Sequence, residues 1–279
     1  MKKLFLCLII LMYSGISFAE EGKESAFDRI LRTQTIRCGY VVYPPSIIKD
    51  PNTGRLSGIF YDITEKMGER LNLKIEWTEE VVFPTMLEGL KTKRYDVLCL
   101  NGWGSAHLAP HVSMTIPLYY SVINAFVRKD DLRFDRDRNS INNPSVKIST
   151  IDGTGTAVFA NQTFPRAQQV GLPQGSDYSL TILNVINNKA DVVLIENSLA
   201  NEFLKKNPNS IRQVNLSKPL RYYANSFYVD IHEQELQSML SMTLGEMLGA
   251  GEVDGIISKY DTGNPASYLP TALPYGGNP

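Results

Sequence analysis

The chain has 279 residues, with 28 lysines and arginines against 29 aspartates and glutamates, a net charge of −1. That balance lacks the basic surplus or stripe of a nucleic-acid binder and excludes that class of partner. The length suits one large domain or two modest lobes.

The N-terminus reads as a secretory signal. Met1-Lys2-Lys3 is a positive leader, residues 4–12 are an unbroken apolar run, and Ser17-Phe18-Ala19 ends in small residues that predict cleavage after Ala19. About 20 apolar residues are needed to cross a bilayer, and this run is shorter. Cys7 leaves with the signal. Removing Lys2 and Lys3 takes the 28 basic groups to 26 against 29 acidic, a net charge of −3.

The mature chain alternates strand and helix signals. Residues 36–40 read as a strand, followed by a loop with Pro44, Pro45, Pro51 and Gly54. Residues 59–71 carry Ile59, Ile63, Met67 and Leu71 at helical spacing, and 73–77 alternate as a strand. A helix is predicted over 83–91, a buried strand over 95–100, and another strand over 121–127 that runs out into the charged stretch 128–138. Strands of this kind separated by helices build a parallel sheet with right-handed crossovers. A second set begins with a strand over 146–151, a Gly/Thr turn over 152–156 and a helix from Ala157. Helices over 180–187 and 198–206 flank a strand over 190–195, and 222–229 reads as a strand like that at Ser121. The clearest amphipathic helix covers 233–248, with Leu236, Leu240, Leu244 and Met247 on one face. Residues 256–260 follow, and 262–279 form a Pro/Gly-rich tail. There is no internal repeat or low-complexity segment.

Cys38 and Cys99 remain after the signal, both in apolar strand-like runs. An oxidising compartment permits a bridge between them. Two buried free thiols are the alternative, because neighbouring parallel strands rarely offer disulfide geometry.

Several runs together resemble the family 3 bacterial extracellular solute-binding proteins. They are Gly39-Tyr40 with Tyr43-Pro44-Pro45, then Gly58-Ile59-Phe60-Tyr61-Asp62-Ile63, then Leu87 to Tyr95-Asp96-Val97. Thr115-Ile116-Pro117-Leu118-Tyr119-Tyr120, Lys189-Ala190-Asp191-Val192-Val193 and the run from Gly251 to Lys259-Tyr260 complete the set. Each run alone is weak, but their order and spacing span most of the mature chain. The resemblance implies an α/β, two-lobed periplasmic-binding-protein fold of type II, with two crossing hinge strands and the ligand in the inter-lobe cleft. Lobe 1 is then residues 20–128 plus 223–261 and lobe 2 residues 129–222, with hinges near 125–128 and 222–224. It also implies export to the periplasm, a monomer, a small-molecule ligand, the membrane permease of an ABC importer as partner, and no cofactor.

The same resemblance points to site residues. Tyr43, before Pro-Pro, lies against ligand in the family, and its ring face suits apolar substance or a cation. Asn101, Gly102 and Trp103 follow the third strand, where a cleft-facing loop is expected. Thr154 and Thr156, in the turn before a helix, belong to the segment that takes the ligand carboxylate, where N–H groups at a helix start favour an anion. Glu196 matches the acid that pairs with a ligand ammonium; closed into a cleft, a carboxylate needs a cationic partner or takes up a proton. The family's carboxylate-clamping arginine falls on Leu108, or on His107 after a one-residue slip. Leucine offers none of arginine's paired hydrogen bonds. The departure predicts a ligand that is not a plain α-amino acid, or another cation in arginine's place.

Enzymatic signals are sparse. His107 and His111 have metal-like spacing, but Pro110 lies between them and no third ligand is near; His232 stands alone. There is no nucleophile elbow and no phosphate-binding Walker loop. Cyclohexadienyl dehydratases resemble the same family, with Glu196 as the acid for proton transfer, and a receptor that docks on a membrane sensor or dehydrogenase is a further alternative.

Overall fold

The computed structural model describes residues 24–83, 85–135, 137–261 and 267–270. The signal segment, Cys7 and most of the Pro/Gly-rich tail lie outside these residues.

In chain order the elements begin with α1 (Ala26–Thr33), whose N-cap Ser25 accepts from the Asp28 N–H, and β1 (Thr35–Tyr40). A small antiparallel ribbon, β2 (Ile48–Lys49) and β3 (Leu56–Ser57), precedes α2 (Ile59–Leu71). Then come β4 (Lys74–Glu80), α3 (Met86–Lys91), β5 (Val97–Trp103), β6 (Val112–Met114) and the long β7 (Tyr119–Arg128). The second set is β8 (Lys147–Ile151), α4 (Gly155–Thr163), β9 (Gln168–Leu172), α5 (Ser179–Ile186), β10 (Val192–Glu196), α6 (Asn197–Lys206) and β11 (Ile211–Gln213). The chain returns through β12 (Arg221–Asp230), α7 (Gln234–Gly249), α8 (Glu252–Tyr260) and β13 (Tyr268–Pro270).

One sheet runs through the molecule in the order β4-β1-β5-β12-β7-β10-β8-β9. Its ends are parallel: β4-β1-β5 in the first half and β10-β8-β9 in the second. The two long strands between them are antiparallel and belong to both halves. β12 pairs with β7 over Arg221–Asn225 and with β5 over Asn225–Val229. β7 pairs with β12 over Tyr119–Ile123 and with β10 over Ile123–Val127. Each strand therefore starts in one half and ends in the other, the crossing pair expected from the resemblance.

Period-two alternation sorts the core onto the two faces of each half. Val97 and Cys99 face a layer made by α1, α2 and α7, with Leu236, Leu240, Leu244 and Met247 fully buried in it, while Leu98 and Leu100 face Met86 and Leu90 of α3. In the second half Val192 and Leu194 pack on Phe159 and Ala160 of α4, and Val193 and Ile195 on Ile182, Val185 and Leu199 of α5 and α6.

Cys38 and Cys99 form a disulfide, with Cα atoms 5.5 Å apart. This settles the open pairing against free thiols. The parallel register sets Cys38 opposite Val97, so Cys99 lies diagonally across on the same buried face. The diagonal brings the Cα atoms within the range that a bridge spans.

The predicted helix over 83–91 starts later, at Met86, and the strand over 73–77 runs on to Glu80. Within the tail, Tyr268–Pro270 is a strand: Tyr268 pairs with Ser121 and Pro270 with Tyr119 along β7. It lies on the edge of β7 that β10 also uses.

Candidate functional site

The crossing strands bring several of the sequence-predicted residues to the junction between the halves. Tyr43 belongs to the first half in sequence but is buried in the core cluster of α5 and α6. A tight turn holds it there: Tyr43 and Ile47 exchange backbone hydrogen bonds of 2.9 and 3.0 Å around the cis Pro44–Pro45 peptide. Its ring meets Tyr178 edge-on at 4.8 Å between centroids and Phe83 at 6.2 Å. Edge-on contacts of this kind add to plain burial.

Glu196 ends β10, opposite Ile123 of β7, and is 2% exposed. Ser198 Oγ donates to its Oε2 at 3.2 Å, while Oε1 has no hydrogen-bond partner. Burial pushes the carboxyl up to about 7, against a partial downward pull from Ser121, Ser198 and the Trp103 indole, which face it. Of these donors the indole is committed elsewhere: Trp103 Nε1 donates to Asn225 Oδ1 at 3.2 Å. Tyr268 pairs two positions along β7 from the residue opposite Glu196, so β13 forms the neighbouring wall. The phenols of Tyr43, Tyr178 and Tyr268 are all shifted upward, first by burial and then by the Glu196 charge. The start of α6 is pinned beside Glu196, because Asn124 of β7 donates to Asn197 Oδ1 at 2.9 Å.

Trp103 closes β5. Its indole stacks on Tyr223 of β12 at 4.2 Å with 6° between the planes. It also lies against α4: a Cβ at Gly155 would sit 3.3 Å from Trp103 Cε3, a tight approach, so the first half touches the second at this glycine. Asn225, fully buried, holds the arrangement by donating to Ser121 Oγ at 2.7 Å and to the Tyr223 carbonyl at 3.0 Å.

Thr154 is the N-cap of α4. Its hydroxyl donates to the Ile151 carbonyl at 2.7 Å and accepts from the Ala157 N–H at 3.3 Å, with Thr156 Oγ1 3.1 Å away. The hydroxyls are thus engaged in building the turn, and the N–H groups of Gly155 and Thr156, in the first turn, have no intrahelical acceptor. Asn101 is buried in β5. Gly102 pairs with Ser226, and a Cβ there would meet the Tyr228 ring at 2.5 Å, so this glycine makes room for a core tyrosine.

Leu108 is not brought to this junction. It sits in the turn between β5 and β6, where its N–H donates to the Ser105 carbonyl at 3.0 Å, and packs half-buried on the cluster of Leu98, Leu100 and Tyr228. His107 is exposed beside Ser105, 3.3 Å from its hydroxyl to Nδ1. Among the described residues no His, Cys, Asp and Glu side chains gather in threes at metal distance.

Two open clefts adjoin the junction. One of about 250 Å³ is lined by Pro45, Ser198, Asn201, Tyr260 and Tyr268. The other, of about 320 Å³, is lined by Gly104, Met114, Thr115, Arg221, Tyr223 and Ser226. Tyr178, Arg221, Tyr223, Asn225 and Tyr268 were not singled out by sequence reasoning. For Tyr223 and Asn225 a signal exists, since they alternate with Ala224 in a strand already recognised as a crossing element. For Tyr268 there is none.

The comparisons with known proteins agree with this architecture. A probable amino-acid ABC transporter-binding protein of Haemophilus influenzae is 25% identical over 213 residues, covering 75% of this chain and 78% of the relative. A probable histidine-binding protein of Campylobacter jejuni is 20% identical over 267 residues, 94% of this chain and 99% of the relative. Among solved structures, an ancestral amino-acid-binding protein described as a precursor of cyclohexadienyl dehydratase superposes with a TM-score of 0.74 at 20% identity, covering 86% of this chain and all of that one. The family model of the bacterial extracellular solute-binding proteins, family 3, matches residues 36–263. With its two-half sheet, crossing strands and family match over most of its length, the chain belongs to the bacterial extracellular solute-binding proteins, family 3.

Proposed function

We propose that the protein captures a small amine-bearing molecule, an amino acid or a related amine, between its two halves and hands it to the membrane permease of an ABC importer. The observation that carries this reading is Glu196: a carboxylate at the end of β10, buried at the junction, with one oxygen lacking any partner. A ligand ammonium beside that oxygen supplies the missing donor and the countercharge together, and charge-assisted hydrogen bonds are the stronger kind. The Tyr43 and Tyr178 rings, packed against each other there, offer faces that attract a cation. Trp103 closes the space from the first half, and the first-turn N–H groups of α4 face an anionic or hydroxyl oxygen.

In this reading lobe 1 is residues 20–128 plus 223–261 and lobe 2 residues 129–222, and the lobes close over ligand by bending β7 and β12. The protein acts as a monomer in the periplasm after loss of the signal at Ala19. No described helix is long and apolar enough to cross a membrane. The names of the Haemophilus and Campylobacter relatives support amino-acid capture for an importer.

A dehydratase reading has one observation in its favour: Glu196 holds a proton near neutrality, the state a general acid requires. Calorimetric titration of the mature protein with L-arginine, L-lysine, L-histidine and their decarboxylated amines decides, run beside a prephenate turnover assay. Tight binding without turnover supports capture; turnover of prephenate overturns it.

A further inference from the structure

We infer that Arg221, the first residue of β12, holds the anionic end of the ligand in place of the arginine absent at position 108. The inference rests on the amino-acid reading above and deepens it. The turn between β5 and β6, where the family carries its clamp, presents Leu108 to the core instead. The groove of about 320 Å³ beside the junction is bordered by Gly104 and Met114, which flank that turn, and by Arg221 and Tyr223 of β12. A cation therefore reaches this groove from the opposite strand.

Three features fit Arg221 for the task. Its guanidinium lies 5.1 Å from the Tyr223 ring centre and 5.3 Å from that of Phe159, so two aromatic faces hold its plane without neutralising it. Arg29, Arg37, Arg70 and Arg212 each pair with a carboxylate, whereas no carboxylate among the described residues pairs with Arg221. Its fork stays open for two parallel hydrogen bonds to a carboxylate.

The third feature is placement. Arg221, Tyr223 and Asn225 alternate along one side of β12, Tyr223 stacks on Trp103, and Asn225 accepts from the Trp103 indole. Glu196 and Arg221 both lie opposite Ile123 of β7, one along each of its edges. The acid and the free guanidinium thus stand on either side of one strand, β7, an arrangement for the opposite ends of a zwitterion. Gly155, at the far side of Trp103, adds the N–H groups of the first turn of α4 to the same region.

The test compares pairs that differ only in the carboxylate: L-arginine with agmatine, L-lysine with cadaverine, and L-histidine with histamine, each titrated calorimetrically. The unmodified protein is expected to prefer the amino acid by on the order of ten- to a hundred-fold. R221A abolishes that preference while keeping the affinity for the amine, and R221K, which keeps the charge but not the fork, restores part of it. A variant that weakens both members equally, or that leaves the preference intact, overturns the assignment; so does a wild-type protein that prefers the amine. If R221A does not fold, as its melting curve shows, R221K is read by the same criterion. A wild-type protein that binds neither member of any pair removes the amino-acid reading itself, whereas one that binds the pairs with no contribution from Arg221 removes only this assignment.

Discussion

Glu196 couples protonation to both binding and stability. Below about 4.5, the value of the unfolded carboxyl, folded and unfolded states both hold the proton and the residue contributes nothing. Between about 4.5 and about 7 the unfolded chain releases it while the ligand-free native state keeps it, so native stability falls as pH rises through that window. The total loss is about 3 kcal/mol. Urea unfolding of the ligand-free protein at about pH 5 and about pH 8 should show that loss, and E196Q should flatten it. Ligand reverses the preference: a cation beside Oε1 favours the ionised form, so affinity for a basic amino acid should rise with pH through about 7, read by calorimetry. E196Q should remove that slope and weaken binding on the order of a hundred-fold. Glu196 stood out in the sequence because, just after the strand run Val193-Leu194-Ile195, it matches the position where the resembling family carries the acid that pairs with a ligand ammonium. Tyr268 and Arg221 did not, because contacts far away in the chain set their places: Ser121 for the first, Phe159 for the second.

Among the elements, those with many periods were readable and those with few were not. α2 and α7 carry enough turns for their apolar stripes to stand out. β6, β11 and β13 are each only three residues long and exist because a neighbouring strand pairs with them. The disulfide lay between these cases, since its geometry depends on a diagonal register no spacing reveals. It ties β1 to β5 across 61 residues of sequence, and its loss, as C38S with C99S, should cost about 2–4 kcal/mol in chemical unfolding. At α4, replacing Thr154 by valine removes both the hydroxyl that caps the helix and its bond to Ile151, with an expected loss of about 1 kcal/mol. The same substitution should change amino-acid affinity little if the N–H groups, not the hydroxyl, meet the ligand.

For the molecule as a whole, the two halves are joined by β7 and β12, and Trp103 against Gly155 marks where they touch. G155V puts methyl groups into that 3.3 Å approach and should hinder closure. The expected result is weaker ligand binding with an unchanged unfolding midpoint for the ligand-free protein, and less compaction on ligand addition in small-angle scattering. The two-half α/β architecture was legible because the order of strand and helix signals repeats a family pattern across most of the chain. The insertion of Tyr43 into the core of the opposite half was not, because a single tyrosine before two prolines carries no record of which core it enters.

The return of β12 and α7 to the first half has a consequence for biosynthesis. The part of the chain made first cannot be completed until the part made second has been laid down, because Leu236, Leu240, Leu244 and Met247 cover the face that α1, α2, β1 and β5 leave apolar. In the export proposed above, the second half is contiguous and can settle while the first still waits with that face open. Cys38 and Cys99 both belong to the waiting segment. Their bridge can close as soon as they reach an oxidising compartment, stapling β1 to β5 during the interval before the late helix arrives.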